Sequence, residues 1–282
     1  METIGTWSDG VKIVGKAKDF AFQTIKYNNS FFPIVVGKDV ERYLINWGGL
    51  YCSRDRQEIE KHDVIDMRLR DEKMFKRKKI LIRKTGNEII AAIDIQNYYN
   101  EQSLFSFGLN NVDYHLETIL CILNSKFANF LLKENAFSKK ETFPQIRLHW
   151  LKDFPVPKLN SLDSQKPILD LNDKMLSYKE EIRKQTSRFI KLLQSSFSKL
   201  NVNRKIEAWY EMTFGEFRKE LEKQKITIAI KELMDYQELF ETHAAQIQAL
   251  RHSIKHTERA IDALVYGLYD LTQAEIAIIE KE

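Results

Sequence analysis

Hydrophobic positions fall into two textures, short mixed runs up to about Pro157 and long periodic stripes beyond it. In the first part, Lys79-Ile80-Leu81-Ile82-Arg83 leads into Lys84-Thr85-Gly86-Asn87, and Ile89-Ile90-Ala91-Ala92-Ile93 follows. Two β-rich runs around a turn containing glycine predict a hairpin. Ser30-Phe31-Phe32-Pro33-Ile34-Val35-Val36 predicts a further strand, ended by Gly37-Lys38-Asp39. The period then changes over 113–133. Leu116, Ile119, Leu120, Leu123, Phe127, Phe130 and Leu131 recur at threes and fours, which predicts one amphipathic helix. Phe143-Pro144 through Pro155-Val156-Pro157 reads as extended chain, because proline and the residue before it both resist helix.

Beyond Pro157, Ile168, Leu171, Met175, Tyr178, Ile182, Gln185, Phe189 and Leu192 form a heptad stripe with one polar member. A second stripe runs Leu233, Tyr236, Phe240, His243, Ile247, Leu250, Ile254, Thr257, Ile261 and Leu264. Two matched stripes pack most simply on each other as an antiparallel pair. Residues 197–232 form a compact insert between them, with Trp209, Phe214, Phe217 and Leu221 at helical spacing. Thr272 and Glu275 have capping-box spacing, which starts a small terminal helix. The chain shows no internal repeat and no low-complexity tract. The fold class expected is α+β: a mixed α/β domain over 1–158, then a long antiparallel, coiled-coil-like helical domain over 159–282. The junction falls near Pro157-Lys158-Leu159-Asn160.

Composition narrows the function classes. A chain of 282 residues has room for about two domains and a sizeable core. Two cysteines, Cys52 and Cys121, exclude a disulfide scaffold and a four-cysteine zinc site. No apolar run reaches the ~18 residues of a membrane span, and the start lacks the pattern of a signal peptide, so the expected home is the cytoplasm. Net charge is +4. Residues 1–160 hold 25 basic against 20 acidic side chains, a mild pointer to a polyanionic partner.

Catalytic signals are sparse. The chain has no Gly-rich phosphate loop, no Gly-x-Ser-x-Gly elbow and no adjacent prolines of the kind amino-group methyltransferases use. His252 and His256 lie one helical turn apart but lack a third ligand, which favours a solvated face. His243 sits on the apolar stripe and reads as a satisfied core or register-setting residue. Cys121 reads as structural, and nothing beside Cys52 predicts a low thiol pKa. Glu180/Glu181 and Glu280/Glu282 read as exposed charges. The chain is therefore expected to be non-catalytic. Its one concentrated feature is basic: Arg68, Arg70, Lys73, Lys76, Arg77, Lys78, Lys79, Arg83 and Lys84 fall within seventeen positions. Lys and Arg release counterions from phosphates, and Arg, Asn and Gln can read base edges. Asn87, Asn97, Asn100 and Gln102 follow, interleaved with Tyr98 and Tyr99. An ordinary solvated surface is the bland alternative.

Several of these stretches are familiar together. Lys79 to Gly86, then Tyr98-Tyr99-Asn100-Glu101-Gln102-Ser103-Leu104, resemble the TaqI-like C-terminal specificity domain of restriction–modification enzymes. Gly37-Lys38-Asp39-Val40-Glu41-Arg42-Tyr43, Leu120-Cys121-Ile122-Leu123-Asn124-Ser125-Lys126, Phe143-Pro144-Gln145-Ile146-Arg147 and Phe154-Pro155-Val156-Pro157 match that family in order. Thr257 to Thr272 is similar to the end of the large type II enzymes, with Gly267 and Asp270 departing from the pattern.

The resemblance implies a target-recognition module that contacts double-stranded DNA and places an adenine for flipping. It also implies partner methyltransferase and nuclease domains, or a partner subunit, upstream. S-adenosylmethionine and Mg²⁺ would belong to that parent enzyme, no cofactor to this segment, and no membrane is involved. Arg83 and Lys84, with Lys78, Lys79 and Arg77, are the expected phosphate contacts. Asn87, Asn100, Gln102 and Arg147 are the expected base-edge or backbone contacts. A type I specificity subunit or half-subunit is the close alternative, and a coiled-coil assembly protein without nucleic acid is the alternative of another class.

Overall fold

The first sheet is built round the expected hairpin. In chain order the strands of the two larger sheets are β1 (Gly5–Asp9), β2 (Phe22–Gln23), β3 (Phe31–Val35) and β4 (Tyr51–Ser53). Then come β5 (Lys79–Arg83), β6 (Ala91–Asp94), β7 (Tyr99–Asn100) and β8 (Leu104–Leu109). β5 pairs antiparallel with β6, Ile82 opposite Ala91 and Lys79 opposite Asp94. The first sheet has the order β1-β8-β5-β6 and is antiparallel throughout. Lys79 to Ile82 are all buried, which explains why this central strand reads as a continuous apolar run without alternation. The second sheet has the order β7-β3-β4-β2, with β7 parallel to β3. The strand expected over 30–36 is β3, which spans Phe31–Val35.

This computed structural model describes residues 1, 3–136, 145–159 and 161–281, with backbone alone at 135 and 136. Phe143, Pro144 and Asn160, which figure in the expectations above, lie outside the described residues. The chain folds as two compact units, one made of 1–172 with 260–282 and the other of 173–259. Among the described residues no helix is long and apolar enough to cross a membrane.

In the first unit the helix expected over 113–133 is in fact two, α1 (Leu116–Asn124) and α2 (Lys126–Ala136). Ser125 leaves the helical region at ψ 161, and its Oγ accepts the Ala128 N–H at 3.2 Å. Serine competes with the backbone in this way, so the apolar period continues through a break it cannot reveal. Asn124, fully buried, accepts the Ala91 N–H at 3.1 Å and donates to the Ala91 carbonyl at 3.0 Å. Asn129 accepts the Ile89 N–H at 2.7 Å. Two carboxamides thus pin the helices to the edge of the first sheet. The segment expected to be extended contains a short helix, α3 (Leu148–Asp153), with Leu151 fully buried. No proline lies between Gln145 and Phe154, so nothing forbids it. The helix ends at Phe154, the residue before Pro155, as proline sterics require.

The second unit takes most of α4 (Lys166–Ser196), α5 (Phe214–Lys223) and part of α6 (Leu233–Leu268). Phe189 packs on Phe240 and Phe197 on Tyr236, so the two stripes run antiparallel here. Trp209 of the insert is fully buried, 3.9 Å from the Phe189 ring centroid and 5.3 Å from that of Phe240. Phe217, Leu221 and Ile206 join the same core. Thr213 and Glu216 form a capping box at the start of α5. The stripe ends on Leu193, which is fully buried, and the expected Leu192 is exposed. The last step is four residues, not three.

Residues 260–282 belong to the first unit, not to the helical domain in which the 159–282 boundary had put them. Asp262 accepts the Lys126 N–H at 2.9 Å, at the start of α2. Tyr269 packs on Phe127 at 4.4 Å and donates to the Pro155 carbonyl at 2.8 Å. α7 (Gln273–Lys281) brings Glu280 to the Tyr266 hydroxyl at 2.7 Å and to Lys126.

Two stability outcomes follow. Trp209→Ala should cost about 3–5 kcal/mol through the cavity left in the helical core, read as a drop in the chemical-denaturation midpoint. Asn124→Ala should cost about 1–3 kcal/mol by leaving the buried Ala91 N–H unpaired. An unchanged midpoint in either variant would contradict the packing described.

Candidate nucleic-acid interface

Most cations of the 68–84 cluster are neutralised within the fold. Asp9 takes two of them, Arg70 at 3.2 Å and Lys84 at 2.7 Å, and Lys84 also lies 4.3 Å over the Phe105 ring. Lys76 pairs with Glu72 at 2.6 Å, Lys78 with Glu117, and Arg68 approaches Asp66 at 3.9 Å. Lys79 is the extreme case. Its side chain is 1% exposed and donates to Asp94 at 2.5 Å and to the Phe75 carbonyl at 2.8 Å. Burial pulls the Lys79 ammonium below the usual lysine range, and Asp94 opposes that shift. Lys79 is a core cross-link between β5 and β6 and cannot reach a phosphate. Arg77 lies half-buried against β8, and burial lowers its pKa. A Cβ at position 108 would stand 1.3 Å from Arg77 Nη2, so a larger residue there would displace the guanidinium.

A different grouping forms at the other end of β5, about 13 Å of strand away from Lys79. Arg83 Nη2 reaches the Lys38 carbonyl at 3.4 Å. The Lys84 N–H donates to the Ser103 carbonyl at 3.0 Å, and the Ile146 N–H donates to the Lys84 carbonyl at 2.7 Å. Gly37 N–H donates to Ser103 Oγ at 2.9 Å, and Thr85 bridges Gln145. Four chain segments therefore converge, bringing Arg83, Gln102 and Arg147 together with Lys38, Ser103 and Gln145. Gly86 holds φ +144, a left-handed value that turns the chain within the β5–β6 connection. Asn87 is exposed in that same connection. Arg83 is partly exposed, Gln102 is half-buried and Arg147 is exposed.

Asn100 does not belong to this surface. It is fully buried and donates to the Leu104 carbonyl at 3.2 Å, so its amide holds a turn and reads no base. Lys38 was missed by sequence reasoning, although Gly37-Lys38-Asp39 marks a turn directly after a strand. Asp9 was missed for a stronger reason: it lies 75 residues from Lys84, and nothing local signals the pair.

Other candidate chemistry is dispersed. Among the described residues, no three His, Cys, Asp or Glu side chains gather as metal ligands. His252 and His256 are exposed. His243 lies beside the Phe189 ring at 5.7 Å, and its Nδ1 is buried without a partner among the described residues, so of the two expected roles, satisfied core residue or register-setting residue, the first is not met at that atom. Cys52 and Cys121 are both buried thiols, and burial pushes Cys52 up to about 12. So little thiolate exists at neutral pH that Cys52 is not a nucleophile.

Sequence comparison assigns the two halves separately. Residues 161–265 match a domain of unknown function, DUF8810. No curated protein matches the chain. Among solved structures, it is similar to the type IIL restriction–modification enzyme MmeI in complex with DNA, at 13% identity and a TM-score of 0.45. That likeness covers 95% of this chain and 35% of the enzyme's, so the chain spans about a third of that protein's length. Residues 32–156, which hold β5 to β8, α1, α2 and the convergent surface round Arg83, match the family model of the TaqI-like C-terminal specificity domain.

Proposed function

We propose that this chain is the DNA target-recognition module of a restriction–modification enzyme of type II. It selects a duplex sequence for methylation or cleavage by domains outside the chain and performs neither reaction itself. S-adenosylmethionine and Mg²⁺ would serve those domains. The observation that carries the reading is the coincidence of the specificity-domain match with the convergent surface at the end of β5. Arg83, Asn87, Gln102 and Arg147, joined by Lys38, are the contacting side chains. A guanidinium can bind guanine bidentately, and the amides can bind adenine. Lys84 positions this surface through Asp9 and contributes little free charge, because its partner is already a carboxylate.

Selection of bound oligonucleotides from a random pool should recover a defined sequence. Arg83→Ala should then relax preference at one base position by about 1–3 kcal/mol, or else lower the salt slope by about one counterion for every sequence. Lys79→Ala should behave oppositely. It should cost about 3–5 kcal/mol of stability by stranding Asp94, yet leave the affinity of the folded fraction unchanged. Recovery of no preferred sequence by the chain or its parent, or affinity indifferent to Arg83, Asn87, Gln102 and Arg147 together, would sink the reading.

A further inference from the structure

The second unit carries a cationic surface that the total charge hides. Between Ile182 and Ile206 there are seven Lys and Arg residues and no Asp or Glu. All seven, Arg183, Lys184, Arg188, Lys191, Lys199, Arg204 and Lys205, are exposed. Lys205 approaches Glu220 at 3.8 Å, and none of the other six pairs with a described residue. This is the reverse of the 68–84 cluster, where Asp9, Asp66, Glu72, Asp94 and Glu117 absorb most of the charge. Counterion release depends on uncompensated cations, so the helical unit is better equipped for it than the cluster that stands out in the sequence.

Helix geometry concentrates the charge. α4 buries Met175, Phe189 and Leu193 on one side. At 100° per residue, Lys184, Arg188 and Lys191 fall within roughly 60° of one another on the opposite side. The helix dipole does not account for them. Its pull on cations fades beyond the last turn, and the last turn of α4 holds no basic residue. Nor does helix pairing, since Glu180, placed four residues before Lys184, makes no ion pair with it. From Lys184 to Lys191 the helix rises about 10 Å, over which duplex DNA presents about six phosphates.

We infer that the Lys184–Arg188–Lys191 face of α4 binds the phosphate backbone of duplex DNA without reading sequence. The inference rests on the reading of the chain as a DNA-recognition module. It adds a division of labour to that reading, with base selection at the end of β5 and sequence-independent grip on α4.

The test is a salt titration of duplex binding by the full 282-residue chain, wild type against K184Q/R188Q/K191Q, followed by fluorescence anisotropy. Two duplexes are used, one of the selected sequence and one scrambled. The triple variant should melt as wild type does. Its salt slope should fall by about two to three on both duplexes, and its affinity should drop by the same factor on each. A wild-type slope retained in the triple variant would overturn the inference and leave the recognition reading standing. A loss confined to the selected duplex would also overturn it, since the face would then be reading bases. Failure of the wild-type chain to bind either duplex would overturn the recognition reading itself, and the inference with it.

Discussion

The first unit depends on how the buried edge of its first sheet is closed. β6 ends the order β1-β8-β5-β6, and its backbone at Ala91 faces protein instead of water. An unpaired amide there would cost as much as a typical core mutation. From the end of α1, Asn124 accepts the Ala91 N–H and joins the Tyr43 N–H in donating to the Ala91 carbonyl, and Asn129 meets Ile89 from α2. The break at Ser125 makes this possible, since it lets one helix end on the strand and the next begin beside it. The new N-terminus of α2 is then met by Asp262 from the far end of the chain. One local departure from helix thus links hairpin, helices and C-terminal segment.

Charge follows the same economy of pairing. The first half holds the excess of Lys and Arg, but its architecture consumes much of it. Asp94 crosses the hairpin to Lys79, and Asp9 from β1 collects Arg70 and Lys84. Arg83 has no carboxylate partner among the described residues and lies where four segments meet, while Lys73 stays exposed and unpaired elsewhere in the cluster. The helical unit, by contrast, leaves Arg183, Lys184, Arg188, Lys191, Lys199 and Arg204 exposed without an ion-pair partner among the described residues.

That unit is held by an aromatic centre that draws on both heptad stripes and on the insert between them. Phe189, Trp209, Phe217 and Phe240 pack within 6.1 Å of one another in successive pairs. Half of that cluster comes from the insert between the stripes, so the insert is structural core and not an appendage. With the core fixed on one side of α4, the opposite side is left to carry charge.

The sequence by itself determined the elements whose signal is local. The hairpin round Gly86, the strand at 31–35, the two antiparallel stripes and the capping boxes all follow from residues near one another in the chain. So does the resemblance to the specificity domain, because its motifs are linear and the match lies between residues 32 and 156. Tertiary structure alone decided which polar residues are free. Lys79, Asn100 and Lys84 look like their neighbours in sequence, yet each is buried or bound by a partner set through strand register or sheet order. The break at Ser125 and the return of residues 260–282 were likewise hidden. Periodicity records which face is apolar, and it carries no information about which distant carboxylate, amide or helix end that face will meet.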